Sequence, residues 1–145
     1  MRVGTLLALV LLVALAPACK SHRPVPVDTS EAGEIPREVA LQKLRELLPT
    51  AEFIYCTAPK ETVKGSEVRT LSVQNSLLEI HHGRGKVLSL TYADISGVSL
   101  EQVGKYYTAR VFTASNPDRE LFGFQWRQED PAKRAVELLA SLKKK

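Results

Sequence analysis

The chain has 145 residues, of which 20 are Lys or Arg and 16 are Asp or Glu, so its formal net charge is +4. This length accommodates one domain with a hydrophobic core but hardly two. The excess of positive charge is small and is typical of an ordinary solvated surface. It gives no indication of the concentrated basic face that a nucleic-acid-binding domain uses.

The first 18 residues have the pattern of a secretory signal peptide. Arg2 precedes an apolar run over residues 6–15, which is too short to span a bilayer, and Ala16, Pro17 and Ala18 supply small residues for cleavage. Together with Cys19 this stretch resembles the lipobox of bacterial lipoproteins, in which the Cys is acylated and becomes the first residue of the mature chain. Ordinary signal cleavage before an unmodified Cys19 is the alternative.

The lipoprotein resemblance implies a location for the protein. A Cys that carries more than one acyl chain anchors a protein stably, and Lys20 is compatible with sorting to the outer membrane, facing the periplasm. Loss of Arg2 leaves 19 basic and 16 acidic residues, a formal charge of +3. Residues 19–35 contain Pro, Ser and charged residues without an apolar period, and they are predicted to be a flexible tether that reaches about 40 to 50 Å from the bilayer.

Residues 36–145 are predicted to form a single α+β domain. A helix with an apolar stripe is expected from Pro36 to Leu48, and a second helix, capped by Asp130, is expected at the C-terminus. Between them the period is two, which predicts consecutive antiparallel strands. We place seven strands near 51–58, 67–73, 76–82, 86–92, 95–99, 105–113 and 119–126.

The order of these elements resembles the pleckstrin-homology-like fold. Residues 87–98 look like that family's pattern of a strand, an aromatic-x-Asp-Ile turn and another strand, and Phe122, Gly123 and Phe124 lead into the last helix in a similar way. The resemblance covers residues 51–142. It implies a partly open antiparallel barrel with a helix at one end, to which this chain adds an N-terminal helix. A cystatin-like or NTF2-like α+β roll remains an alternative.

Five basic residues mark a possible ligand or partner surface. In family members that bind phosphoinositides, the loop between the first two strands is basic; here it carries Lys60 and Lys64, with Arg69 further on, but Glu61 and Glu67 intervene. A tight hairpin adds two more. The predicted surface therefore consists of Lys60, Lys64, Arg69, Arg84 and Lys86.

No residue pattern predicts a catalytic or metal site. His81 and His82 are neighbours on a strand and point to opposite faces, so they do not chelate one ion readily. If Cys19 is acylated, Cys56 is the remaining thiol and no disulfide can form within the chain. Alternation places Cys56 on the buried face with Ile54, and a catalytic thiol there would need a lowered pKa. No cofactor is predicted.

Three functions follow from these observations. The leading hypothesis is a non-enzymatic, lipid-anchored binding or scaffold domain in the bacterial envelope, with a protein or peptide partner. The second is a small envelope enzyme that uses Cys56 as its nucleophile. The third is a carrier of a lipid or other hydrophobic ligand.

Overall fold

The computed structural model describes residues 21–143. In this range the chain forms an α+β fold with two α-helices and nine strands in two antiparallel sheets. The predicted signal peptide and Cys19 lie outside the described residues. The helices are α1 (Arg37–Leu47) and α2 (Glu129–Ser141), and the strands are β1 (His22–Val25), β2 (Phe53–Thr57), β3 (Lys60–Lys64), β4 (Val68–Val73), β5 (Leu77–His82), β6 (Lys86–Thr91), β7 (Ile95–Val103), β8 (Tyr106–Thr113) and β9 (Phe122–Trp126).

The larger sheet has six strands in the order β1, β7, β8, β9, β2, β3. Because side chains alternate between the two faces of a strand, one face collects apolar residues and the other collects polar and aromatic ones. The apolar face is the core face: Ile54 pairs with Phe124, which pairs with Ala109, and each of these is at most 1% exposed. We call the opposite side the outer face.

The smaller sheet consists of β4, β5 and β6. The chain leaves the six-stranded sheet after β3 and returns to it at β7. Gly65 stands at the first of these transitions, where a Cβ atom would be 2.3 Å from the carbonyl oxygen of Ala51. Only glycine permits this approach of two backbones. The hairpin between β5 and β6 turns at Gly83 and Gly85, whose φ angles are +55° and +69°.

Both helices pack on the same core. Helix α1 buries Ala40, Leu41 and Leu44, as its apolar period predicts, and α2 packs against β7, β8 and β9. Asp130 does not cap α2, because the helix already begins at Glu129 and Gln128 is its N-cap. The acidic side chains of its first turn instead lie at the positive end of the helix dipole.

The structure corrects the expected architecture in two respects. All seven predicted strands are present, but β1 and β3 bring the number to nine, and the two sheets do not close into a barrel.

Part of the predicted tether is also folded onto the domain. His22–Val25 pairs with β7, and Ala32 is buried at 7% exposure. The domain therefore begins much closer to Cys19 than composition alone indicates.

Candidate functional site

The structure brings four of the five predicted surface residues to one end of the molecule. Lys60 begins β3, and Arg84 lies at the tip of the hairpin that leads to Lys86. Arg69 follows Val68, whose backbone pairs with His82 at the base of the same hairpin. All four side chains are exposed. We call them the basic rim: Lys60, Arg69, Arg84 and Lys86.

Lys64 does not belong to the basic rim. It ends the strand that Lys60 begins, and it pairs with Phe53 at the other end of the six-stranded sheet. The predicted surface is thus divided: Lys64 lies at the far end of β3 from Lys60, and Arg69 stands between the two, since it also borders a cavity with Gly65.

A half-buried acidic residue and a buried histidine lie beneath the basic rim. Glu61 Oε2 is 2.9 Å from His82 Nε2, and Glu61 Oε1 is 3.3 Å from Lys86 Nζ. The distance between Glu61 Oε2 and His82 Nε2 is that of an ion pair, but the two groups are not aligned for a hydrogen bond. Both atoms are therefore buried without a hydrogen-bond partner among the described residues. This pair, Glu61 and His82, connects the six-stranded sheet to the three-stranded one.

The basic rim keeps a positive charge in spite of Glu61. The two oxygens of that carboxylate already contact His82 and Lys86, so Glu61 offsets one cation while Lys60, Arg69 and Arg84 have no carboxylate partner among residues 21–143. Exposed cations clustered in this way attract anionic groups, and Arg also binds carboxylates in a bidentate manner. The rim can therefore bind an acidic ligand.

Cys56 lies on the core face, next to Glu61 in the adjoining strand. The residue is 3% exposed. Burial raises the pKa of the Cys56 thiol, and the negative charge of Glu61 acts in the same direction, whereas the backbone hydrogen bonds only partly oppose them. Because the thiolate is the reactive form, this environment is unfavourable for a nucleophile.

A second polar cluster runs across the outer face of the six-stranded sheet. Tyr55 donates a hydrogen bond of 3.0 Å to Glu120, which also accepts a bond of 2.8 Å from Arg110. Glu101 lies 3.5 Å from Arg110 Nε and 3.3 Å from His22 Nδ1. The cluster thereby links β2, β8, β7 and β1 through side chains as well as backbone.

Charge pairing governs the ionisation of this cluster. Burial alone would raise the pKa of Glu120, but the hydrogen bond and the charge of Arg110 outweigh it, and the pKa lies below its ordinary value. Burial raises the pKa of Tyr55 strongly, and the charge of Glu120 adds to that effect. Glu120 is therefore held as a carboxylate and Tyr55 as a phenol at neutral pH. The cluster has the form of a structural network.

The sequence did not reveal these partners. Glu120 follows a turn. Tyr55 is 65 residues away from it in the sequence and Arg110 lies on β8, so no sequence spacing connects the three residues. One signal was available: Arg110 is the only charged residue of β8. A lone charge within such a strand often has a partner on the next strand.

The structure also places the two adjacent histidines and the aromatic residues of β9. His82 is 8% exposed and His81 is half-buried, so their opposite orientation is confirmed. Phe122, Phe124 and Trp126 are each at most 3% exposed and belong to the core. Phe122 and Phe124 stack with ring centroids 6.2 Å apart. They are therefore packed against the protein itself.

Within residues 21–143, no three His, Cys, Asp or Glu side chains are grouped so that they could hold a metal ion. In the same range no helix is both long and apolar enough to cross a bilayer. The chain matches no family model, no curated protein and no solved structure.

Proposed function

We propose that this protein is a non-enzymatic binding domain, held at the bacterial outer membrane by a lipid on Cys19, that presents its basic rim to an acidic protein or peptide in the periplasm. The observation that carries the proposal is the convergence of Lys60, Arg69, Arg84 and Lys86 at one exposed end of the fold. Rows of surface cations steer and orient acidic partners.

The position of the basic rim relative to the N-terminus supports this function. The chain enters the six-stranded sheet at His22, in the first strand of the sheet order, whereas Lys60 lies in the last strand. Five strand spacings separate these strands, which is about 24 Å, and the two residues also lie at opposite ends of their strands, about 20 Å apart along the strand direction. A domain anchored near His22 would therefore hold the basic rim away from the lipid.

The environment of Cys56 supports a binding function over the enzymatic alternative. A buried thiol with a raised pKa lacks the exposure and the thiolate character of catalytic cysteines.

The lipid anchor is tested by mass spectrometry of the N-terminal peptide from membranes of an expressing bacterium. We expect Cys19 to carry acyl chains, and we expect Cys19→Ser to appear in the soluble periplasmic fraction. An unmodified N-terminal Cys19 peptide in the wild-type chain contradicts the anchor.

The partner surface is tested with a photo-crosslinking side chain at position 84 in intact cells. We expect capture of a partner through an acidic segment, and we expect Lys60→Glu with Lys86→Glu to abolish that capture. The matched control is Lys43→Glu with Lys133→Glu, which reverses two exposed lysines on α1 and α2. Capture that survives reversal of the rim, or a crosslink to a segment without acidic residues, overturns the proposal.

We also propose that the fold is a variant of the pleckstrin-homology-like architecture in which the two sheets stay apart. The passage of the chain between two antiparallel sheets and the C-terminal helix packed on β7, β8 and β9 support this relationship. An experimental structure whose strand order cannot be superposed on that architecture would refute it.

A further inference from the structure

The N-terminal end of the six-stranded sheet lies next to the proposed anchor. Ser21 is the first described residue, and its carbonyl oxygen accepts a hydrogen bond of 3.3 Å from Gly104 in the turn between β7 and β8. Two residue steps separate Cys19 from Ser21, and a chain spans at most about 3.6 Å per residue. Cys19, which carries the lipid in the proposed function, is therefore joined to Ser21 by a chain of at most about 7 Å.

The residues around this turn suit a membrane interface. Tyr106 contacts Phe53 edge to face, with ring centroids 5.5 Å apart. The ammonium group of Lys105 lies 5.5 Å from the Tyr106 ring centroid, and the guanidinium of Arg127 lies 5.9 Å from it. Amphipathic aromatic rings favour the headgroup layer of a bilayer, and lysine extends its charge toward phosphates while its stem stays on apolar surface.

These aromatic residues border a shallow cavity of about 350 Å³. Val103 and Gly104 form one side of it, and Val103 pairs directly with His22, the first residue of β1. The cavity therefore opens at the point where the chain enters the fold. A partly apolar concavity at this position can receive the glycerol and upper acyl region of a lipid.

The charged residues near the turn between β7 and β8 indicate how this end of the domain would contact lipid. Glu52 pairs with Arg127 at 3.0 Å, and Glu129 and Asp130 begin α2 shortly after β9. Lys105 has no carboxylate partner among residues 21–143. Lys64, which pairs with Phe53, adds a third cation, so the three acidic and three basic side chains at this end balance. The contact therefore depends on aromatic residues and proximity, with Lys105 as the unpaired cation that faces the headgroups.

We propose that the end of the domain defined by Phe53, Gly104, Lys105 and Tyr106 rests on the lipid headgroups, so that the basic rim points into the periplasm. This inference rests on the lipid anchor of the proposed function. The surface contacts the bilayer in which the chain is anchored. The short connection from Ser21 to Cys19 keeps this surface close to the bilayer.

The test uses the acylated mature chain in vesicles of phosphatidylethanolamine and phosphatidylglycerol that contain a nitroxide-headgroup lipid. We expect the amide resonances of Gly104, Lys105 and Tyr106 to lose intensity, and those of Gly83 and Gly85 at the basic rim to keep theirs. A chain that fails to float with the vesicles overturns the anchor and this inference together. A chain that floats, but shows equal or larger loss at Gly83 and Gly85, overturns this inference alone.

A pair of matched variants supplies a second measurement, made with the unacylated Cys19→Ser chain and phosphatidylglycerol vesicles. We expect Lys105→Glu to raise the dissociation constant about 25-fold, because the substitution removes one cation and adds one anion, and each unit of charge near an anionic surface contributes about fivefold. Arg84→Glu is expected to raise it by a smaller factor, because Arg84 lies on the basic rim and not on the surface that rests on the lipid. A larger effect from Arg84→Glu would show that the basic rim faces the lipid, contrary to the inference.

Discussion

The ring of Tyr55 lies across the backbone of Gly123: a Cβ atom at position 123 would be 2.1 Å from Tyr55 Cε1. The two residues pair on adjacent strands, and Gly123 also pairs with Arg110 on its other side. The absence of a side chain at 123 therefore gives the Tyr55 hydroxyl its path to Glu120. Gly123 is therefore required for the hydrogen bond between Tyr55 and Glu120.

We expect Gly123→Ala to destabilise the domain by about 1 to 3 kcal/mol, because overpacking in a tightly packed region forces neighbouring side chains to move. The free energy of unfolding from urea titration measures this effect. Gly97→Ala is the control, since a Cβ at 97 meets nothing within 4 Å. Equal effects of the two substitutions would contradict the importance of the ring contact.

The carboxylate of Glu120 predicts a dependence of stability on pH. Its pKa in the folded protein lies below the usual value near 4.5, through the pairing with Arg110. A lowered folded pKa contributes stability that is present above the unfolded pKa and is lost as the pH falls through the folded one. We therefore expect stability to decrease on acidification below about pH 4.5.

Glu120→Gln isolates this contribution. At pH 7 we expect the variant to lose about 1 to 3 kcal/mol, because Arg110 keeps its charge but loses a buried partner, and we expect the loss to shrink toward pH 3. Unfolding in urea at both pH values measures it. Glu38→Gln, an exposed position on α1, should change stability by less than about 0.5 kcal/mol. A loss from Glu120→Gln that is the same at both pH values would exclude the ionisation effect.

Local pattern predicted most of the fold and little of the pairing between distant residues. The seven predicted strands and both helices follow from periods of two and 3.6. The missed strand β1 contains Pro24 and only one half-buried residue, Val25, so it has no alternation to detect. The missed strand β3 has charged residues at three of its five positions and buries only Val63. Both are edge strands of the six-stranded sheet, which need only one pairing partner.

The basic rim also combines features that the local sequence predicts with contacts between distant residues that it does not predict. The sequence identified its cations, but the separation of Lys64 from Lys60 depends on β3, which places them at its two ends. The contact of Glu61 with His82 joins two sheets, and no sequence spacing encodes it. Such contacts arise from the way the elements pack, which single-sequence periodicity does not describe.

The contact between half-buried Glu61 and buried His82 should contribute to stability, because each side chain compensates the charge of the other. We expect Glu61→Ala to cost about 1 to 3 kcal/mol, because it leaves the buried imidazole without its partner. Adding His82→Phe should recover part of that loss, since replacing both polar partners by apolar groups is often nearly neutral. A double-mutant cycle in urea measures the coupling. Glu79→Ala with His81→Phe is the control pair, because its 3.8 Å contact joins more exposed side chains. Strict additivity at Glu61 and His82 would contradict the coupling.

Cys56 should be inert to alkylation in the folded protein. In a Cys19→Ser chain Cys56 is the single thiol, and burial both shields it and raises its pKa. Since β2 lies inside the six-stranded sheet, access to the thiol requires opening of the core. We expect iodoacetamide to react at least about 10³-fold more slowly in buffer than in denaturing urea, in line with the usual stability of a domain. Mass spectrometry of the time course measures both rates. A native rate close to the unfolded one would show an accessible thiol, and it would support the alternative of an enzyme that uses Cys56.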